Sequence, residues 1–113
     1  MAYTTINKSS SFMNPKLFVG NSSTNAITGV GFQPDLVWTK NRQDTYNHSL
    51  FDSVRGTTKR IASNETIAEA TVSASLTAFD SDGFTLGNDT TSNASNNYAS
   101  WNWKAGTSFN NNA

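Results

Sequence analysis

The chain holds one histidine, His48, and no cysteine, so nucleophilic catalysis would have to set that imidazole between a serine and a carboxylate. No strained elbow sequence surrounds any serine, and hydrolysis by a triad is not expected. His48 lies between Asn47 and Ser49 and reads as a surface or turn residue. A metal centre there would need further ligands at suitable spacing, and only scattered carboxylates are at hand. Among the 8 Asp and Glu residues, none is promoted by its neighbours to one of the facing pair that glycoside cleavage requires. Asp80-Ser81-Asp82-Gly83 opens like a calcium loop, but Phe84, Leu86 and Gly87 follow in place of the later oxygen ligands and the bidentate glutamate. It reads as a hairpin turn, where Asp and Gly serve backbone geometry. No catalytic residue, metal or cofactor is assigned, and an enzyme is not expected.

Binding chemistry has more material. Arg55-Gly56-Thr57-Thr58-Lys59-Arg60, with Lys40 and Arg42 upstream, is the one basic concentration. It is either a solvated turn joining two strands or a contact with an acidic neighbouring subunit or anionic glycan, in which the arginine fork meets planar oxygen groups. Sugars pack their apolar faces on aromatic rings while polar side chains satisfy their hydroxyls, and Tyr46, Tyr98 and Trp38 are candidates for such a stack. Because aliphatic residues are few, Trp38, Trp101 and Trp103 are all expected in the core. Tyr46, in a polar loop with Asn47 and His48, is then the better exposed aromatic. The candidate binding residues are therefore Tyr46, Arg42, Arg55, Lys59 and Arg60. Six Asn-x-Ser/Thr sequons begin at Asn7, Asn21, Asn47, Asn64, Asn88 and Asn93, close to what this composition produces by chance, and glycosylation does not follow from them.

The elements that must position these residues are strands. Short apolar stretches recur about every ten residues between Gly, Asn, Asp or Ser clusters, the spacing of an antiparallel sandwich or barrel. Lys16-Leu17-Phe18-Val19 is stopped by Gly20-Asn21-Ser22-Ser23, and Ala26-Ile27-Thr28 runs into Gly29. Pro34 precedes Leu36-Val37-Trp38-Thr39, a strand expected to be central, with Leu36 and Trp38 on one face and Val37 and Thr39 on the other. Leu76-Thr77-Ala78-Phe79 and Phe84-Thr85-Leu86-Gly87 flank the Asp80–Gly83 turn as a hairpin. Near the end, Ala99, Trp101 and Trp103 alternate with Tyr98, Ser100 and Asn102, and the indole face is expected to anchor the core. Asn64 to Thr71, with Thr66 and Glu69 spaced as a weak capping box, is the one stretch with helical character. The sandwich module is assigned to residues 1–104, and residues 105–113 to a polar linker or tail.

Composition agrees. Asn, Ser and Thr number 15 each, and these residues favour turns and strand faces over helix interiors. The formal net charge of +0, with 14% of residues charged, gives no long-range attraction to nucleic acid or to an anionic membrane. No apolar run approaches the roughly 18 residues of a membrane span, and Met1-Ala2-Tyr3-Thr4-Thr5-Ile6 lacks the basic and apolar regions expected of a signal peptide.

Three strings taken in order carry a resemblance: Gly29-Val30-Gly31-Phe32-Gln33-Pro34-Asp35-Leu36-Val37-Trp38-Thr39-Lys40-Asn41-Arg42, then Leu50-Phe51-Asp52-Ser53-Val54-Arg55-Gly56-Thr57-Thr58-Lys59, then Phe79-Asp80-Ser81-Asp82-Gly83-Phe84-Thr85-Leu86-Gly87. With Asn93-Ala94-Ser95, Tyr98 and Trp101-Asn102-Trp103-Lys104, they resemble a lectin-like repeat module of tail-fibre and related virion proteins of tailed phages. The resemblance spans Tyr3 to Lys104. It implies an all-β jelly-roll or concanavalin-like antiparallel sandwich, a virion location on tail fibre or capsid surface, and no catalytic residues. It further implies particle assembly and recognition of the host surface, glycans included, or, as the alternative, a capsid decoration protein bound to the major capsid protein. Expected partners are other phage structural proteins, host polysaccharide and further copies of the chain. A sheet edge left open would be covered by a neighbouring copy, and a homotrimer would suit a fibre or a capsid.

Overall fold

The computed structural model describes residues 9–105. A 3-10 turn at Ser9–Ser11 leads into β1 (Met13–Val19), followed by β2 (Asn25–Ile27), β3 (Leu36–Asn41), β4 (Ser49–Asp52), β5 (Lys59–Arg60), β6 (Ala70–Thr71), β7 (Leu76–Asp80) and β8 (Gly83–Leu86). One turn of helix, α1 (Thr90–Asn93), precedes β9 (Asn97–Trp103). The strands form an antiparallel four-stranded sheet in the order β1-β9-β3-β4, an antiparallel three-stranded sheet β2-β8-β7, and a short β5-β6 ribbon. The molecule is an all-β sandwich, and β3 occupies an interior position as its alternating sequence predicts. The hairpin is β7-β8, with a register shift between Leu76 and Ala78. Most of the tail assigned to 105–113 lies outside the described residues.

Two faces meet in the core. Phe18, Val37, Phe51 and Tyr98 project from the four-stranded sheet, and Ile27, Leu76, Phe84 and Leu86 from the three-stranded sheet. Phe18 joins the layers: its ring stacks on Tyr98 at 5.1 Å and meets Phe84 edge-on at 6.0 Å, both favourable aromatic geometries.

The structure reverses the expected orientation of β9. Tyr98, Ser100 and Asn102 are the buried set, and Ala99, Trp101 and Trp103 face outward, half-buried. Polar residues can point inward here because β1 supplies acceptors: Ser100 Oγ donates to Lys16 O at 2.8 Å and Asn102 Nδ2 to Asn14 O at 3.0 Å. Tyr98 Oη accepts from Ala94 N–H at 2.9 Å and from Asn41 Nδ2 at 3.2 Å. Burial pushes its phenol pKa up, against the opposing effect of these two bonds. Tyr98 therefore cannot belong to an exposed aromatic stack.

The helix expected over Asn64 to Thr71 is also absent. Residues 65–69 are exposed and irregular, and Ala70–Thr71 pairs with Lys59–Arg60. An exposed segment with no apolar stripe to bury gains too little from a capping box to offset helix nucleation. The helical turn stands instead at Thr90–Asn93, where the Asp89 carboxylate caps Ser92 N–H at 3.0 Å. Its last residue, Asn93, donates to Ser23 O at 2.6 Å and Gly87 O at 2.8 Å, and accepts from Asn21 N–H at 3.1 Å. One buried amide thus ties the β1-β2 turn to the segment entering α1.

Candidate functional site: the outer face of the four-stranded sheet

All 3 tryptophans of the chain stand on one surface, the side of the four-stranded sheet turned away from the core. Strand alternation and register arrange it in rows. Met13, Trp103, Leu36 and Asp52 lie in one, Pro15, Trp101, Trp38 and Leu50 in the next, then Leu17, Ala99 and Lys40, with Val19 and Asn97 at the end. Trp38 is the hub: its ring centroid is 5.7 Å from that of Trp101, tilted by 58°, and 6.5 Å from that of Trp103 at 30°. The indole is also held from the side, because its Nε1–H donates to Nδ1 of His48 at 2.9 Å. The accepting Nδ1 places the proton of the neutral imidazole on Nε2. His48 is itself fixed through its backbone N–H, which donates to Asn64 Oδ1 at 3.0 Å. Sequence reading placed it at the surface without a role; it is half-buried and positions Trp38.

The indoles shelter one another, but the aliphatic residues beside them do not. Leu17 is 62% exposed and Val19 66%, large values for residues in the middle and at the end of a strand. Together with Met13, Pro15, Ala99, Leu36 and Leu50 they make a continuous apolar face, with Lys40, Asn97 and Asp52 at its margins. Such a face suits a packed protein surface better than a sugar, whose hydroxyls need polar groups between the rings.

The residues singled out in sequence lie elsewhere. Tyr46 is 38% exposed in the loop between β3 and β4. Arg42, at the end of β3, is exposed and donates its backbone N–H to Asn97 O at 2.8 Å. Arg55, Lys59 and Arg60 each turn to separate partners within the chain. Arg55 Nε meets Asp52 Oδ2 at 2.6 Å and its Nη1 meets Glu69 Oε1 at 3.0 Å, with further bonds to the carbonyls of Leu50 and Lys59. Burial alone would push the Asp52 carboxyl up, but its bonds from Arg55 outweigh that and hold it below the ordinary value. Lys59 Nζ donates to Thr71 Oγ1 at 2.7 Å, and Arg60 Nη1 reaches Asp89 Oδ2 at 3.3 Å. The arginine fork, for which the sequence left open a solvated turn or a contact with an outside anion, bonds within the chain at the β4-β5 corner.

The carboxylates are similarly engaged. Asp82 accepts the backbone N–H groups of Gly29 at 2.9 Å and Gly31 at 2.7 Å, and Asp80 accepts from Thr85 Oγ1 at 2.6 Å. The turn reading of Asp80–Gly83 stands, and the described residues contain no group of three or more His, Cys, Asp or Glu arranged to hold a metal. Asn93, one of the sequon asparagines, has its side chain fully enclosed.

Residues 8–113 match the model of the DUF7483 family, described as a domain of unknown function, and the chain belongs to that family. No curated protein and no solved structure matches it.

Proposed function

We propose that this DUF7483 domain is a non-catalytic structural module of a phage particle, assembling into a tail fibre or fibre-like appendage that presents its loops to the host surface. The observation that carries the proposal is the apolar outer face built on Trp38, Trp101 and Trp103, a surface made for packing against protein. The three sequence strings that resemble tail-fibre modules supply the setting. In the fold the first contains β3, the second begins in β4 and the third contains the β7-β8 turn.

A non-catalytic role is supported by what the ionisable groups do. His48 accepts from an indole rather than facing a carboxylate, and seven of the 8 acidic residues have a hydrogen-bond partner within the chain: Asp35, Asp44, Asp52, Glu69, Asp80, Asp82 and Asp89. In these positions they hold loops and turns together. Gold-labelled antibody raised against the purified chain tests the proposal on intact particles. Label on tail fibres is the expected result. Label on the head would replace the tail reading with capsid decoration, and particles that carry none would end both.

A further inference from the structure

We infer that the outer face of the four-stranded sheet packs against the same face of a second copy of the chain. The inference rests on the assembly reading above and says which surface performs it. Both edges of this sheet are poor sites for adding a strand. Lys104 N–H donates to Phe12 O at 2.7 Å and Gly20 N–H to Asn96 O at 2.8 Å. The antiparallel register then turns the backbone groups of Met13, Pro15, Leu17 and Val19 toward the free edge of β1. Pro15 has no N–H to offer, so a continuous ladder cannot form there. At the opposite edge, Leu50 of β4 exchanges both backbone bonds with Ile61, at 2.9 and 3.2 Å. The face itself is left, and no described element covers it.

Charge permits a like partner, and area sets how weakly it is held. Four strands at about 4.8 Å spacing and seven residues at about 3.3 Å rise make a face of roughly 400 Å². That is about half of what each side contributes to a standard stable complex, so the pairing is weak and concentration-dependent, and repeated copies on one particle would add to it. The centre of the face carries no charge, and the chain's formal net charge is +0, so two copies meet without repulsion either locally or at long range.

Because every tryptophan lies on this face, indole emission reports its burial directly. Sedimentation equilibrium and fluorescence of the purified chain, from about 1 μM to about 1 mM, the range that a half-sized interface demands, provide the test. The average mass is expected to rise toward the dimer while emission moves to shorter wavelength and acrylamide quenching falls. Leu17→Glu and, independently, Val19→Lys should abolish all three changes with an unaltered far-ultraviolet spectrum. Val54→Glu, at a turn residue 94% exposed and outside the four strands of this sheet, should retain them. A chain that sediments as a monomer throughout, association that both face variants leave intact, or indoles shielded only when polysaccharide is added would each overturn the pairing. Concentration-dependent pairing together with unlabelled particles would sink the virion reading alone.

Discussion

Trp38 and Trp101 sit directly opposite each other on β3 and β9, their ring centroids 5.7 Å apart, on the side of the sheet that does not contact the core. The pair stiffens the centre of the sheet from outside, as cross-strand aromatic pairs do. Its stability contribution should consequently be smaller than that of the enclosed aromatics. Trp101→Ala is expected to cost about 2 kcal/mol, from partial burial and one lost aromatic contact. Phe84→Ala, at a ring with no exposed surface, should cost about 3–5 kcal/mol through the cavity it leaves. Urea unfolding of the two variants gives the comparison, and an equal or reversed order would restore the indoles to the core.

Asp82 links acid sensitivity to one loop. The N–H groups of Gly29 and Gly31 that its carboxylate accepts hold its pKa below the ordinary 3.8. A carboxyl whose folded value is depressed stabilises the fold fully above the unfolded value, and the contribution is lost as pH falls through the folded one. Asp82→Asn keeps one amide oxygen for two donors and carries no charge. The variant should unfold at lower urea than wild type at pH 7, and the gap should close as pH is lowered through and below about 3.8, the ordinary value. A gap that stays constant with pH would mean that the charge on Asp82 contributes nothing.

Local chemistry explains which parts of this fold can be read from sequence. The β7-β8 hairpin follows from Asp80-Ser81-Asp82-Gly83 alone, and the central place of β3 from Leu36-Val37-Trp38-Thr39, because both signals are complete within a few residues. The two sides of β9 are equally plain as an alternation, but which side turns inward is decided elsewhere. Phe18 must stack on Tyr98, and the carbonyls of Asn14 and Lys16 must receive Asn102 and Ser100, contacts that span 80 to 88 residues of chain. The same limit hid the candidate site, since the outer face exists only once β1, β9, β3 and β4 stand side by side. Strands β4, β5 and β6 are too short to show a period. The cap at Asp89 is a local signal, a carboxylate three residues before the N–H of Ser92, whereas the Thr66 and Glu69 spacing has no helix behind it.

Gly83 marks a close approach of two strands. A Cβ built on it would stand 1.8 Å from the carbonyl oxygen of Ile27 in β2, a backbone atom that cannot swing aside. Gly83→Ala must therefore push β2 from β8, where Ile27 pairs with Phe84, and should cost about 3 kcal/mol, the upper range for overpacking. Substituting the exposed Gly31, whose Cβ position is open although its φ is +93°, should cost about 1–2 kcal/mol from backbone strain alone. Thermal melts of the two alanine variants compare steric and conformational effects, and equal losses would refute the close approach.

On the inner face, between the row that holds Val37 and Phe51 and the row that holds Phe18 and Tyr98, runs a polar one, Lys16, Ser100, Thr39 and Ser49, set side by side by the register of β1, β9, β3 and β4. Its members are not equivalent. Ser100 Oγ bonds Lys16 O at 2.8 Å, whereas Thr39 Oγ1 and Ser49 Oγ are buried without a partner in the protein. A buried hydroxyl that bonds nothing retains its desolvation cost with no compensating interaction, and replacing it by an apolar group of the same shape removes that cost. Thr39→Val keeps the branched shape that β3 favours and should leave stability unchanged or raise it by about 1 kcal/mol. Ser100→Ala removes a hydroxyl that donates to the Lys16 carbonyl and accepts from Asn102 Nδ2 at 3.1 Å, so it should lose about 1 kcal/mol or more. For a domain of this size each kcal/mol moves the melting temperature by about 4 °C, well within the resolution of calorimetry. A marked loss in Thr39→Val would show that its hydroxyl has a partner in solution, with an ordered internal water bridging the row as the chemical group able to serve Thr39 and Ser49 together.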